Sequence, residues 1–234
     1  MALQELMQEM QKYYELLAPR YESKKEAGVV TPQLIHFIDT QSVFHREQLS
    51  NRDVLEIACG PGTFTQSLAQ AARSILAADG NESTLVEARK KTYPPGKVRF
   101  VCADAYTLEG IEGTFNGGFA MQWFSHIPKS KVHAFLDVFH ARLTVGARVV
   151  LSDTLYSPPG PGQKAFLQID EEGNNIQMRG IPGSPDPAKR YRVIKNHPSE
   201  QELRVYLAGR AIDVEYSELE GCWRVAYTVS AASR

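Results

Sequence analysis

Leu3, Leu6, Met7, Met10, Tyr14 and Leu17 recur at helical spacing ahead of Pro19, which predicts an amphipathic helix over the first segment. Thr31 is a suitable side-chain cap with Pro32 at the first helical position, so a second helix starts there, with Leu34, Phe37, Ile38 and Phe44 as its expected buried stripe. The period then changes. Asp53–Ala58, Ser74–Ala78, Val98–Cys102, Phe115–Met121 and Arg148–Leu151 read as short strands, separated by helical stretches at Thr63–Ala72, Glu82–Lys91 and Lys129–Leu143. Such alternation predicts a parallel sheet wrapped on both faces.

Beyond Asp153 the pattern breaks. The segment 156–196 holds most of the late prolines and glycines (SPPGPG, RGIPGSPDPAKR) around two candidate strands, Asn175–Arg179 and Arg190–Lys195. It reads as an inserted β-hairpin rather than a second domain. A last helix over Ser199–Ala208 opens on a capping box, Ser199 with Glu202, and Ala211–Tyr216 and Cys222–Val229 are expected to pair antiparallel at the sheet edge. The expected organisation is a helical cover over 1–50 and an α/β domain over 51–234 that contains the insert 156–196.

Composition narrows the partners. With 26 Lys+Arg against 27 Asp+Glu in 234 residues and no long run of one sign, nothing favours a nucleic-acid or membrane partner, and a small-molecule ligand fits better. Cys59, Cys102 and Cys222 are odd in number and far apart, which suggests reduced thiols, a cytoplasmic setting and no metal site. The amphipathic start carries Glu5 and Glu9, unlike a signal peptide, and no apolar run approaches a membrane span.

The candidate chemistry begins at Val54-Leu55-Glu56-Ile57-Ala58-Cys59-Gly60-Pro61-Gly62-Thr63, a strand running through a glycine-bracketed turn into a helix. Glycines there let a ligand lie directly on the backbone. The third glycine of GxGxxG would fall at Thr65 and is absent, which tilts against a dinucleotide. Asp79, about twenty residues on, suits both hydroxyls of a ribose; the plain alternative is a solvated strand end. Asp104-Ala105, closing the third strand, suits an adenine by its donors and acceptors, against the alternative of a turn cap.

In series, these segments resemble the class I S-adenosylmethionine-dependent methyltransferases: LEIACGPG the glycine motif, AADG the ribose position, CADAY the adenine position, MQWFSHIP the segment after the fourth strand, and LTVGARVVLSDTLY the approach to the fifth. The resemblance runs from about Tyr13 to the carboxyl terminus. YYELLAPRYE, WFSHIP and YRVIKN are similar to a bacterial small-molecule O-methyltransferase group that includes the phosphonate O-methyltransferase of the dehydrophos pathway. One departure is a longer hairpin turn, GIPGSPDPAK. The resemblance implies a Rossmann-like seven-stranded sheet and S-adenosylmethionine as cofactor, with S-adenosylhomocysteine as product. Its implied cofactor positions are Glu56, Gly60, Gly62 and Thr63, Asp79 and Gly80, Asp104 and Ala105, and Gln122 after strand four. Tyr13, Tyr14 and Tyr21 are candidates for a lid over the sulfonium, or for core packing of the leading helix.

For the acceptor, two readings stand. His126 is a candidate base for a hydroxyl or amine, or else a loop anchor through a backbone hydrogen bond. In a strand over 190–195, Tyr191, Val193 and Lys195 share a face, so Lys195 is a cation on a mostly apolar surface and calls for an anion. Arg179 on the partner strand can converge with it, which suits a carboxylate or phosphonate that needs no base; a solvated basic hairpin is the alternative. The expected reaction is O-methylation of a small anionic acceptor. N- or C-methylation with His126 as base, a nucleoside-binding module and a NAD-dependent reductase remain alternatives.

Overall fold

Central strands of a parallel sheet are covered on both faces and need apolar residues at successive positions, whereas edge strands do not. Strands β1 (Asp53–Ile57), β2 (Ser74–Asp79) and β4 (Phe115–Met121) are buried at nearly every position, while β3 (Val98–Cys102) is largely open. The computed structural model describes residues 3–20, 31–157 and 167–231, and it places these strands accordingly. With β5 (Leu143–Thr154), β9 (Ala211–Leu219) and β10 (Cys222–Val229), they form a seven-stranded sheet of order β3-β2-β1-β4-β5-β10-β9. The first five are parallel, and β10 runs antiparallel between β5 and β9. Strand order reverses between β1 and β4, which opens a crevice beyond their carboxyl ends.

Helices α2 (Pro32–Leu49), α3 (Thr63–Leu68), α4 (Glu82–Arg89), α5 (Val132–Ala141) and α6 (Glu200–Leu207) accompany the sheet. One apolar layer joins Leu55, Ile57, Phe135, Phe139, Trp223 and Tyr227; the other joins Val54, Ala77, Leu85, Phe119 and Val150. The caps are as expected: Thr31 Oγ1 accepts from Leu34 N–H, and Ser199 and Glu202 complete a capping box. Among the described residues, no helix is long and apolar enough to cross a membrane.

Three expectations are revised. Strand β5 is far longer than Arg148–Leu151, and its last turn carries buried Ser152 and Asp153. The buried face of α2 is Gln41, Ser42, His45 and Leu49, while Leu34 is exposed. Phe37 and Phe44 are half-buried against the same apolar layer, Phe37 edge-on to Phe64, so the expected stripe is met in part and shifted toward the second half of the helix. The insert keeps the expected hairpin, β7 (Asn175–Arg179) with β8 (Tyr191–Ile194), and extends it to a three-stranded sheet by a strand the sequence did not show, β6 (Leu167–Ile169). A strand as short as β6 carries no readable alternation.

Helix α1 (Leu3–Leu17) belongs with that insert. Its stripe Leu6, Met10, Tyr13 and Leu17 packs on Ile176, Tyr191, Val193 and Ile194. Glu9 accepts from the backbone N–H and the guanidinium Nε of Arg192, both at 2.7 Å. The amino-terminal helices thus serve two surfaces, α1 the insert and α2 the main sheet.

Candidate active site

The turn after β1 uses the left-handed region repeatedly, with φ of 53° at Ala58, 57° at Gly60 and 75° at Gly62. The two glycines are there for different reasons. A Cβ on Gly62 would lie 2.3 Å from Tyr93 Oη and 3.2 Å from Ala88 Cβ, so internal packing against α4 and the segment after it excludes any side chain. Among the described residues, a Cβ on Gly60 meets nothing within 4 Å. Thr63 is the first residue of α3, which starts on Gly62 without a side-chain cap.

Asp79 closes β2 beside this turn. Its Oδ2 accepts the Gly60 N–H at 3.0 Å and its Oδ1 the Asn81 N–H at 2.9 Å, so the carboxylate ties the glycine turn to the loop after β2. Burial pushes its pKa up, and the two N–H groups oppose that shift. Glu56 lies in the same depth of the crevice, 2% exposed. Its pKa is pushed up to about 8 by burial, opposed by the Thr65 hydroxyl and reinforced by the charge of Asp79. Asp104 takes the plainer geometry: Oδ1 accepts the Tyr106 N–H at 2.6 Å, and its carbonyl accepts from Thr107 and Leu108, capping the turn after β3. Ala105 is half-buried against the core, and Gln122, with φ of 57°, is exposed just past β4.

Helix α1 spans the mouth of the crevice. Gln11 Nε2 donates to the Gly80 carbonyl at 3.5 Å and Ser83 Oγ to the Glu15 carbonyl at 3.4 Å. Tyr13 points away, buried between Tyr14 and Tyr191 at ring distances of 5.0 and 5.9 Å. Tyr14 instead reaches the segment after β4, where its hydroxyl lies 2.9 Å from His126 Nε2. Tyr21 lies outside the described residues.

His126 is buried with both ring nitrogens engaged. Nδ1 is 2.6 Å from the Ile194 carbonyl, which can only accept, so Nδ1 carries the proton and Nε2 accepts from Tyr14. Burial and the charge of Lys195 push its pKa down to about 3, against Asp153 and the Ile194 carbonyl. Lys195 does meet an anion, and it is one of the protein's own: Nζ donates to Asp153 Oδ1 at 2.9 Å and to Ser125 Oγ at 2.7 Å. Asp153 Oδ2 also accepts the Ser125 N–H at 2.8 Å. Asn196 completes the junction, its N–H donating to the Ser125 carbonyl and its Nδ2 to the Ile127 carbonyl. The segment Phe124–Ile127 is therefore held in place by β5 and the end of the insert.

Arg179 and Lys195 lie on one face of the insert, because Arg179 pairs with Tyr191 and Gln177 with Val193. They sit toward opposite ends of that face, and the Arg179 guanidinium donates two hydrogen bonds to Gln177 Oε1, at 3.2 and 2.8 Å. Sequence reasoning passed over Asp153, Ser125 and Asn196. A carboxylate within the apolar run of β5 was the available signal, since a buried charge requires a partner.

An open sheet with this crevice and glycine turn defines a Rossmann-like methyltransferase fold, and residues 54–146 match the family model described as a methyltransferase domain. Among solved structures the chain is similar to the DhpI–SAH complex (20% identity, covering 97% of this chain and 98% of that one, TM-score 0.72) and the DhpI–SAM–HEP complex (20%, 95% and 97%, 0.72). It is also similar to an S-adenosylmethionine-dependent methyltransferase from Clostridium acetobutylicum (18%, 93% and 99%, 0.59). No curated protein matches the sequence.

Proposed function

We propose that the protein transfers a methyl group from S-adenosylmethionine to an oxygen of a small carboxylate or phosphonate acceptor. The observation that carries the cofactor half is the open backbone at Gly60 flanked by the buried carboxylates Asp79 and Glu56 at the strand-order reversal, where the fold places its ligands. These residues fit the group: the remaining lone pairs of Asp79 suit ribose hydroxyls, Glu56 suits an ammonium, and α1 lies across the mouth. The DhpI structures, by their own descriptions, hold SAH or SAM, which supports the same reading. Free thiols at Cys59, Cys102 and Cys222 suit a reducing, cytoplasmic setting.

When bound, the cofactor supplies a methyl group on a sulfonium, open to in-line displacement. The chain's own task is alignment of the acceptor. Lys195 is buried and its charge is matched by Asp153, so the Arg179 guanidinium, held by Gln177, is the cation this reading offers to an anion. His126, neutral and doubly bonded, holds the loop rather than a proton from substrate. A carboxylate or phosphonate is already nucleophilic, so no base is called for.

Two outcomes follow. Asp79→Ala should weaken S-adenosylhomocysteine binding by about 1.5–3 kcal/mol, the range for hydrogen bonds to a charged group, measured by calorimetry; unchanged affinity would remove Asp79 from the site. For the acceptor, the chain is incubated with S-adenosylmethionine and a panel of small carboxylic and phosphonic acids, and methyl esters are read by mass spectrometry. Arg179→Gln should raise the acceptor KM by about tenfold or more, as expected for a lost charged contact, with cofactor affinity intact. The rate should show no limb near pH 6.5, because His126 is neutral down to about 3. Full activity in the Arg179 variant, or an acidic limb lost in His126→Asn, would return His126 to the role of base.

A further inference from the structure

The glycine turn covers two carboxylic acids that are solvated very differently. Asp79 receives two backbone N–H groups. Glu56, on the neighbouring strand, receives none; the Thr65 hydroxyl beside it offsets the effect of burial only in part, and Glu56 Oε2 and Thr65 Oγ1 are buried with no hydrogen bond within 3.5 Å among the described residues. Among the described residues, the groups acting on Glu56 carry no positive charge; the Arg89 guanidinium of α4 acts on the neighbouring Cys59. From β2 comes Asp79, from the turn Cys59, from α3 Thr65, and from the segment after α4 Tyr93. Burial pushes the Cys59 thiol and the Tyr93 phenol upward, so both stay neutral. No ion pair within 4.0 Å reaches Glu56 among the described residues, and an isolated carboxylate at this depth takes up a proton rather than remain charged.

We propose that Glu56 is a protonated acid in the ligand-free protein and surrenders that proton when a cationic ammonium, the amino group of the cofactor's methionine part, settles beside it, so that cofactor binding releases a proton. The Glu56 O–H bond breaks, its electron pair stays on the carboxylate oxygen, the proton leaves to buffer, and the new carboxylate accepts an N–H of the ammonium. The result is a net exchange of one positive charge for another at constant charge in the crevice. Glu56 in this role discriminates by charge: a ligand without the ammonium leaves the acid protonated. This rests on the S-adenosylmethionine reading above.

The test is calorimetric titration with S-adenosylhomocysteine at pH 7 in buffers of differing ionisation enthalpy. The observed heat then reports protons released per ligand bound. The parent should release nearly one proton more than Glu56→Gln, a difference that cancels the ligand's own titration. The sign follows from the raised pKa of about 8: the acid is protonated below it and has nothing to release above it, so the difference should shrink toward zero by pH 9. Between pH 6 and pH 8 the parent's affinity should climb about tenfold per unit more steeply than that of the variant. Infrared difference spectra of the parent give a second measurement, in which a protonated-carboxyl band should vanish on ligand addition. Equal proton release by parent and Glu56→Gln, or an unchanged carboxyl band, overturns the proposal. Release that persists in Glu56→Gln and disappears in Asp79→Asn also overturns it and moves the proton to Asp79. Absence of any S-adenosylhomocysteine binding by the parent instead sinks the cofactor reading itself.

Discussion

Asp153→Asn is expected to lower stability by about 3–5 kcal/mol, the cost of leaving one member of a buried ion pair unmatched. Lys195 Nζ and Asp153 Oδ1 are 2.9 Å apart with side chains 8% and 0% exposed. Oδ2 of the same carboxylate holds the Ser125 N–H, which an amide nitrogen in that place would repel. For a chain of this length the loss corresponds to roughly 6–20 °C in Tm, readable by thermal denaturation. The pair is costly to break but not intrinsically a source of stability, since two desolvated charges replace apolar packing. Asp153→Leu combined with Lys195→Met should therefore recover most of the lost Tm. A single Asp153→Asn variant that melts within about 1 °C of the parent would show that the pair is hydrated rather than buried.

The glycine turn supplies the second large effect, and it divides by position. Gly62→Ala should reduce stability by about 2–4 kcal/mol, from left-handed strain and from displacement of Tyr93. The Tyr93 hydroxyl donates to the Ala88 carbonyl at 2.9 Å, and the new methyl would occupy its place. Gly60→Val carries the left-handed strain of a β-branched residue without a clash among the described residues, none of which lies within 4 Å of a Cβ there. Its damage should appear in S-adenosylhomocysteine affinity instead, weakened by about 1–3 kcal/mol as the added side chain fills ligand space. Chemical denaturation and calorimetry on both variants give the two readings. A Gly60 variant that binds normally would place the ligand elsewhere.

Much of this architecture was legible in the chain. The change from helical to strand period at Asp53, the two capping boundaries at Thr31 and Ser199, and the glycine turn all depend on residues close in sequence. Alternation put Lys195 on the face of Tyr191 and Val193, and the pairing register adds Arg179 to that face. The buried stripe of α2 followed only in part, because periodicity says which residues share a face and not whether a neighbour covers it.

What the sequence by itself determined is the order of strands and helices, the glycine turn and the acidic residues that end β2 and β3, because backbone propensity and side-chain period act over a few residues. What only the tertiary structure decided is the destination of each buried polar group. Lys195 finds Asp153 across 42 residues, His126 finds the Ile194 carbonyl across 68, and Tyr14 finds His126 across 112. Spacing showed that Lys195 needed an anion, but which anion it met depended on the end of β5 lying beside the end of the insert. Burial sets the demand locally through desolvation, and the packing of distant strands chooses the partner that satisfies it.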